Sequence, residues 1–508
     1  MSDLHQKVSE EHSSYAGEKE DSAEVPVYGF ESDDEKNAKL DALITAHGIN
    51  HTKLMWKIDI CVVPPFCLLY FLAFLDRVNI SNAKVYGMAD DLKLTGNQFN
   101  TALTIFFVPY VFFEVLSNFA IKRIAPHIWL SGCILCFGAV SIGMGFVKNF
   151  GGLVACRFLL GIFESGAFPA VFYILSNYYQ KQEAQRRFSV FFSVTCLAGA
   201  AGGALAAKII ELDGRYGIES WQWIFIIEGA FTAGLAFVLF FTISDFPETA
   251  RFLNENERAF LKAKLEIFNG ASGFEEKTTL KDTGGVFKDY LIWLPAIAYF
   301  GLIVPAYGYA YFSPTIIKQM GYTAVAAQNH SVYPWLLAFG LSISVSFASD
   351  RLQMRFPFAV GAILWALMGL AFILGGTHNP RLRYAGCFLT ASGIYTAMPI
   401  IVCWASLNFS GHLRKSVGTA WQIGFGNIGG IIATFIFLAK DSPRYVPGLS
   451  VSIAFSCLAL LFVCIYFFAV RRLNRLKLTE AYRSKFSVKS LRDQVLCGDR
   501  NPNFKYLL

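Results

Sequence analysis

The sequence predicts an all-α polytopic membrane protein, with twelve transmembrane helices arranged in two six-helix halves. Three observations carry that prediction. Of 508 residues, 54% are hydrophobic and only 16% charged, against about 25% charged in an average soluble chain. The apolar bulk falls into twelve stretches of about 20 residues, the length that crosses a bilayer core. A polar segment at 245–289 separates them six and six, the two-halved layout of many transporters. A soluble chain of this size would divide into domains joined by polar linkers, because one soluble core rarely exceeds about 250–300 residues. The net charge of +7 suits anionic lipid headgroups, and no basic-aromatic nucleic-acid motif is present.

Residues 1–50 read as a disordered cytosolic tail, acidic through Glu10, Glu11, Glu18, Glu20, Asp21, Asp33, Asp34 and Glu35. They contain no basic n-region followed by an apolar h-region, so span 1 itself is expected to serve as the insertion signal. The first half covers 57–244, with spans at 58–78, 99–121, 128–147, 151–178, 188–210 and 221–244. The polar segment 245–289 forms a cytosolic central loop. The second half covers 290–470, with spans at 290–312, 331–349, 357–376, 384–408, 416–438 and 447–470. A basic cytosolic tail, 471–508, closes the chain. Short loops carry similar positive charge on both sides. Arg471, Arg472, Arg475 and Lys477, directly beside the last span, place both termini in the cytosol by the positive-inside rule.

Enzyme chemistry finds no support. The CxxC of Cys133 and Cys136 lies inside an apolar run with no second ligand pair. The GxGxxG of Gly424 to Gly429 also lies within a span, where it reads as helix packing rather than a phosphate cradle. No cofactor is called for.

Charged residues inside the membrane are the functional signal, because each costs about 2.5–3.5 kcal/mol near the bilayer centre. They concentrate in the first half: Asp76 and Arg77 at the end of span 1, Glu114 in span 2, Arg157 and Glu164 in span 4, and Glu228 in span 6. Arg157 and Glu164 are seven residues apart and share a helix face, with Gly161 between them to admit a neighbouring helix. Arg157 can hold a carboxylate with its planar fork, and Glu164 can carry a proton. The competing reading is an ion pair that locks span 4 in place. Asp76-Arg77 admits both an interfacial anchor and a site. Glu114 and Glu228 read as structural, and Pro169 is expected to kink span 4. The second half offers aromatic and amide groups as possible pocket residues: Tyr307, Tyr395, Trp404, Asn408, Gln422 and Asn427. Interfacial aromatic belts and close packing would explain any one of these equally well.

Several stretches resemble the major facilitator superfamily. SDRLQMRFP (Ser349 to Pro357), with Asp350 and Arg351, is similar to its gating-loop signature between spans 8 and 9. FLDRVNISNA, RFLLGIFESGAFPA, WQWIFIIEGAFTAG, FPETARFLNENER, GFGNIGG and DSPRYVPG resemble the fungal anion:cation symporters of the allantoate permease group. Leu116 departs from that group, which has Pro there. The resemblance implies proton-coupled uptake of a small organic anion of the nicotinate, pantothenate or allantoate type. It also implies roles for four residues: Asp76 and Glu164 in proton coupling, Arg77 and Arg157 in anion binding. The expected partners are that anion, protons and the bilayer, with no nucleic acid and a monomeric chain. The expected location is the plasma membrane or the endoplasmic reticulum. Two rivals stand: a drug:proton antiporter, although span 5 (CLAGAAGGALAAK) lacks the Gly-Pro of those proteins, and a non-transporting nutrient sensor, although the final tail is short.

Overall fold

The computed structural model describes residues 33–508 apart from Lys122, 270–283, 377–378, 410–411, 488–497 and Asn503. Twelve helical positions match the predicted spans. In the first half they are His51–Val85, Gln98–Ala120, Pro126–Met144, the pair Phe150–Glu164 and Ala167–Tyr178, Lys181–Ile209, and Ser220–Thr242. In the second half they are Tyr290–Lys318, Ala324–Leu352, Phe356–Gly375, Pro380–Asn408, His412–Phe435 and Val446–Lys477. Among the described residues, nine of these helices are long and apolar enough to cross a membrane. The expected single span 4 is two helices, broken at Ser165-Gly166. Pro169 has no N–H to return to the carbonyl of Ser165, four residues back, so the ladder is weakest there.

Close packing follows the small residues. A Cβ at Gly161 would lie 2.3 Å from the Phe106 carbonyl oxygen, so span 4 meets span 2 backbone to backbone. The glycines of span 11 are helix contacts too: a Cβ at Gly430 would strike the Phe107 ring of the first half.

The helix Asp33–His47 packs on the central-loop helix Glu255–Asn269, and Asp499 and Arg500 reach Arg414 and Asp289; the end of the bundle that carries them is here the tail face. On the opposite face the two halves are tied together. Lys318 Nζ donates to the Val85 carbonyl at 3.0 Å, and Asn100 donates to the carbonyls of Thr434 and Phe437 at 2.5 and 3.1 Å. Nearer the middle, Ser193 donates to Ser342 at 3.1 Å.

The tail face is more ordered than the sequence indicates. Residues 1–32 lie outside the described residues, but Asp33–His47 is a helix rather than part of a disordered tail. The central loop contains the amphipathic helix Glu255–Asn269. Its Lys264 is fully buried and donates to Glu183 at 2.8 Å. Burial holds the Lys264 ammonium below its ordinary pKa, and Glu183 opposes that shift. At the other end, the last helix runs on to Lys477, and residues 498–502 and 504–508 fold back beneath the second half. Arg414 bonds Asp289 at 2.5 Å and reaches Asp499 at 3.2 Å, and Arg500 bonds Asp289 at 2.8 Å. Burial alone would raise the Asp289 carboxyl. The Arg414 charge, the Leu291 amide and Arg500 together hold it below the usual carboxylate range.

Candidate functional site

Successive residues on a helix are about 100° apart. Tyr70, Phe74 and Arg77, spaced i, i+4 and i+7, therefore form one face of span 1, while Asp76 turns away from it. Arg77 is 4% exposed and Glu164 1% exposed. Arg77 Nε donates to Glu164 Oε1 at 2.9 Å, and Nη2 donates to the same oxygen. Nη1 donates to the Tyr307 hydroxyl of the second half. The guanidinium also lies over three rings: Phe106 at 5.0 Å, Tyr110 at 5.1 Å and Tyr307 at 5.7 Å from the centroids. Such contacts hold a cation without neutralising it.

Arg157 and Glu164 share the face that meets span 1, as their spacing implies. They do not meet the same partner. Glu164 takes the Arg77 guanidinium, whereas Arg157 Nη1 donates to the Arg77 backbone carbonyl at 3.4 Å. The break after Glu164 ends the first piece of span 4 at this carboxylate.

A central cavity opens beside Arg77. Its walls are Tyr70, Phe74 and Arg77 of span 1, Tyr110 of span 2, Phe168 of span 4, and Phe192 and Thr195 of span 5. The second half adds Tyr299, Ile303, Ala306 and Tyr307 of span 7, Tyr395, Met398 and Pro399 of span 10, and Ile423 and Asn427 of span 11. The space is about 30 Å³, room for a water but not a solute.

Of the expected pocket residues, Tyr307, Tyr395 and Asn427 line the cavity. Trp404, Asn408 and Gln422 do not. Trp404 Nε1 donates to the Leu507 carbonyl at 2.9 Å, and Asn408 exchanges two hydrogen bonds with the Leu507 backbone. Gln422 turns toward the carbonyls of Pro295 and Ile401 between helices. Those amide and indole groups satisfy buried backbone instead of facing a solute. At the end of span 8, Asp350 pairs with Arg355 at 2.5 Å rather than with the exposed Arg351. Glu114, read as structural, faces Asn427 across the interface between the halves. Asp76 lies behind the cavity, accepting from Ser141 Oγ and Asn79 Nδ2, each at 3.2 Å.

Sequence reasoning alone does not single out Tyr70, Tyr110 or Tyr299, which also line the cavity. Tyr70 carried a usable signal, its two-turn spacing from Arg77. Tyr110 and Tyr299 sit in apolar runs that read as packing. Among the described residues, no group of three or more His, Cys, Asp or Glu is placed to hold a metal.

The chain is 33% identical over 455 residues to the high-affinity nicotinic acid transporter of Saccharomyces cerevisiae, covering 90% of this chain and 84% of that one. It is 28% identical to the MFS-type transporter cnsO of Penicillium expansum, covering 91% of each. The solved proton:xylose symporter XylE has a TM-score of 0.65 at 12% identity, over 82% of this chain and 96% of that one, which shows a shared fold. The family model described as Major Facilitator Superfamily matches residues 66–434. The twelve-helix, two-halved bundle, its buried charge on the wall between the halves, and these matches agree: this integral, multi-pass membrane chain is a transporter, not an enzyme, and it belongs to the Major Facilitator Superfamily.

Proposed function

We propose that the protein imports a small aromatic or planar carboxylate of the nicotinate type together with protons, as a member of the allantoate permease group. The observation that carries this reading is Arg77. It is a buried cation on the cavity wall, held by one carboxylate and boxed by aromatic rings. An anion with a flat ring would replace the Glu164 carboxylate at the guanidinium and stack on Tyr110 or Tyr307. The similarity to a nicotinic acid transporter supports the same substrate class.

The cycle follows from the pairing. With Glu164 ionised, Arg77 is occupied. A proton arriving at Glu164 from the acidic side neutralises it and frees the guanidinium for the substrate carboxylate. The neutralised site occludes, and the halves rock to expose it to the other side. There, proton loss lets Glu164 recapture Arg77 and expel the anion. Arg157 braces the Arg77 backbone, and Asp76 supplies a second protonatable group. The Asp350–Arg355 pair holds the gating loop. One chain supplies every wall of the cavity, so a monomer suffices, and uptake of an external solute places it in the plasma membrane.

The test is accumulation of labelled nicotinate, pantothenate, biotin, allantoate and ureidosuccinate by expressing cells at pH 5 and pH 7.5, with and without a protonophore. The expected result is accumulation of one aromatic or planar acid, stronger at pH 5 and collapsed by the protonophore. Accumulation that ignores both pH and protonophore would refute proton coupling. No accumulation by cells carrying the protein at their surface would refute this substrate class and favour efflux or sensing.

A further inference from the structure

A second polar cluster lies behind span 1, on the side away from the cavity. Asp76, fully buried, accepts from Ser141 of span 3 and Asn79 of its own helix, each at 3.2 Å. Glu228 enters from span 6 and is 1% exposed. Asn79 and Asp76 are the polar groups that face it. Spans 3 and 6 can pack this closely because Gly229 has no side chain: a Cβ there would lie 2.9 Å from the Ser141 Cβ. The carboxylate of span 6 and the hydroxyl of span 3 therefore sit at one level.

The cluster holds more acceptors than donors. Asp76 Oδ2, Asn79 Oδ1 and both Glu228 carboxylate oxygens are buried without a hydrogen-bond partner. Asn79 gives one amide N–H to Asp76 and has one left to turn toward Glu228, fewer donors than these orphan acceptors need. Thr232, one turn beyond Glu228, also faces Asp76. Among the described residues, the charged groups that face Asp76 from elsewhere are Arg157 and Glu164 of span 4, and the charged group that faces Glu228 is Asp76. Arg157, whose Nε and Nη2 are buried without a hydrogen-bond partner, faces Asp76 from span 4, but among the described residues no cation faces Glu228, so a second negative charge at Glu228 in this dry pocket would go uncompensated. A single proton between the two carboxylates supplies the missing donor and removes one charge.

We propose that Asp76 and Glu228 hold one proton between them, forming a proton site distinct from the Arg77–Glu164 pair on the cavity wall. Glu228 then has a role in proton handling as well as in packing. Asp76 is the residue beside Arg77, and Arg157 spans the two clusters by bonding the Arg77 carbonyl while facing Asp76. A proton at the hidden pair and a proton at Glu164 thus act on the same turn of span 1. That consequence for coupling rests on the proton-symport reading; the shared proton itself does not.

The test needs no substrate. Infrared spectra of the purified full-length protein at pH 7.5, compared in H2O and D2O, report protonated carboxyl groups through their C=O stretch. The expected result is a deuterium-sensitive band that is lost in Glu228→Gln, moved in Glu228→Asp and kept in Glu164→Gln. Should Glu228→Gln fail to fold, ¹³C-glutamate and ¹³C-aspartate labelling of the wild type replaces it, and the band is expected to shift with both labels. A wild type without the band overturns the proposal. So does a band that is untouched by Glu228→Gln or by the labels, or one that appears only when choline replaces Na⁺, which would make the cluster a sodium site. Absence of nicotinate uptake would leave this result unaffected, so the two readings fail separately.

Discussion

The two halves share a helical plan but use different chemistry. The first half buries Asp76, Arg77, Glu114, Arg157, Glu164 and Glu228. The second lines the same cavity with Tyr299, Tyr307, Tyr395 and Asn427, none of them charged, and keeps its ion pairs at the tail face, in Asp350–Arg355 and Arg414–Asp289. The two chemistries meet where Arg77 donates to Tyr307. The difference teaches a division of labour. Charge inside the membrane is costly and must be neutralised by neighbours on the same rigid half. The opposite half can then move against it while breaking only neutral or singly charged contacts.

Four experiments break or sharpen this comparison, from the largest expected effect to the smallest. Arg77→Lys keeps the charge but loses the fork that reaches Glu164 and Tyr307 together. Loss of a charge-assisted contact of about 3 kcal/mol predicts uptake down by about two orders of magnitude, measured as kcat/KM with surface expression held equal. Glu164→Gln should abolish accumulation against a gradient yet retain counterflow exchange in proteoliposomes. Loss of both, at normal expression, would make Arg77–Glu164 a structural lock. Tyr307→Phe removes the second-half hydroxyl that accepts from the Arg77 guanidinium. A hydrogen bond to a charged group of about 1.5 kcal/mol predicts about a tenfold rise in KM, with protein melting unchanged.

The smallest effect on transport belongs to the tail-face clasp. Asp289→Asn should leave KM unchanged and lower the melting temperature by a few degrees. The sign with pH follows from the depressed carboxyl. The stability contributed by Asp289 is present above the ordinary carboxylate range and is lost as pH falls through its lower folded value. Wild type and Asp289→Asn should therefore converge in melting temperature at strongly acid pH, and a constant gap down to that pH would refute the clasp.

The fold was legible because hydropathy over about 20 residues is a property of local sequence, and lipid demands it of every span. The charged part of the site was legible for a related reason. A charge in an apolar run is conspicuous, and its cost implies a partner. The spacing of Arg157 and Glu164 gave their common face, although it could not say that Glu164 would take Arg77 while Arg157 took a backbone carbonyl. The uncharged part was less legible. Tyr395 and Trp404 lie in one span with similar polarity, yet one lines the cavity and the other is capped by Leu507, about a hundred residues further along the chain. Arg351 and Arg355 both follow Asp350, and only Arg355 turns back to it.

By itself, then, the sequence determined the twelve spans, their division into halves, and which half carries the membrane charges, because each follows from the transfer energy of residues taken one helix at a time. The tertiary structure alone decided which face of each helix meets the cavity. It also decided that Asp76 and Arg77 serve different clusters, and that the chain's last residues fasten the second half. Those outcomes depend on partners far apart in sequence, where the free energy lies in pairs of groups and not in any single one.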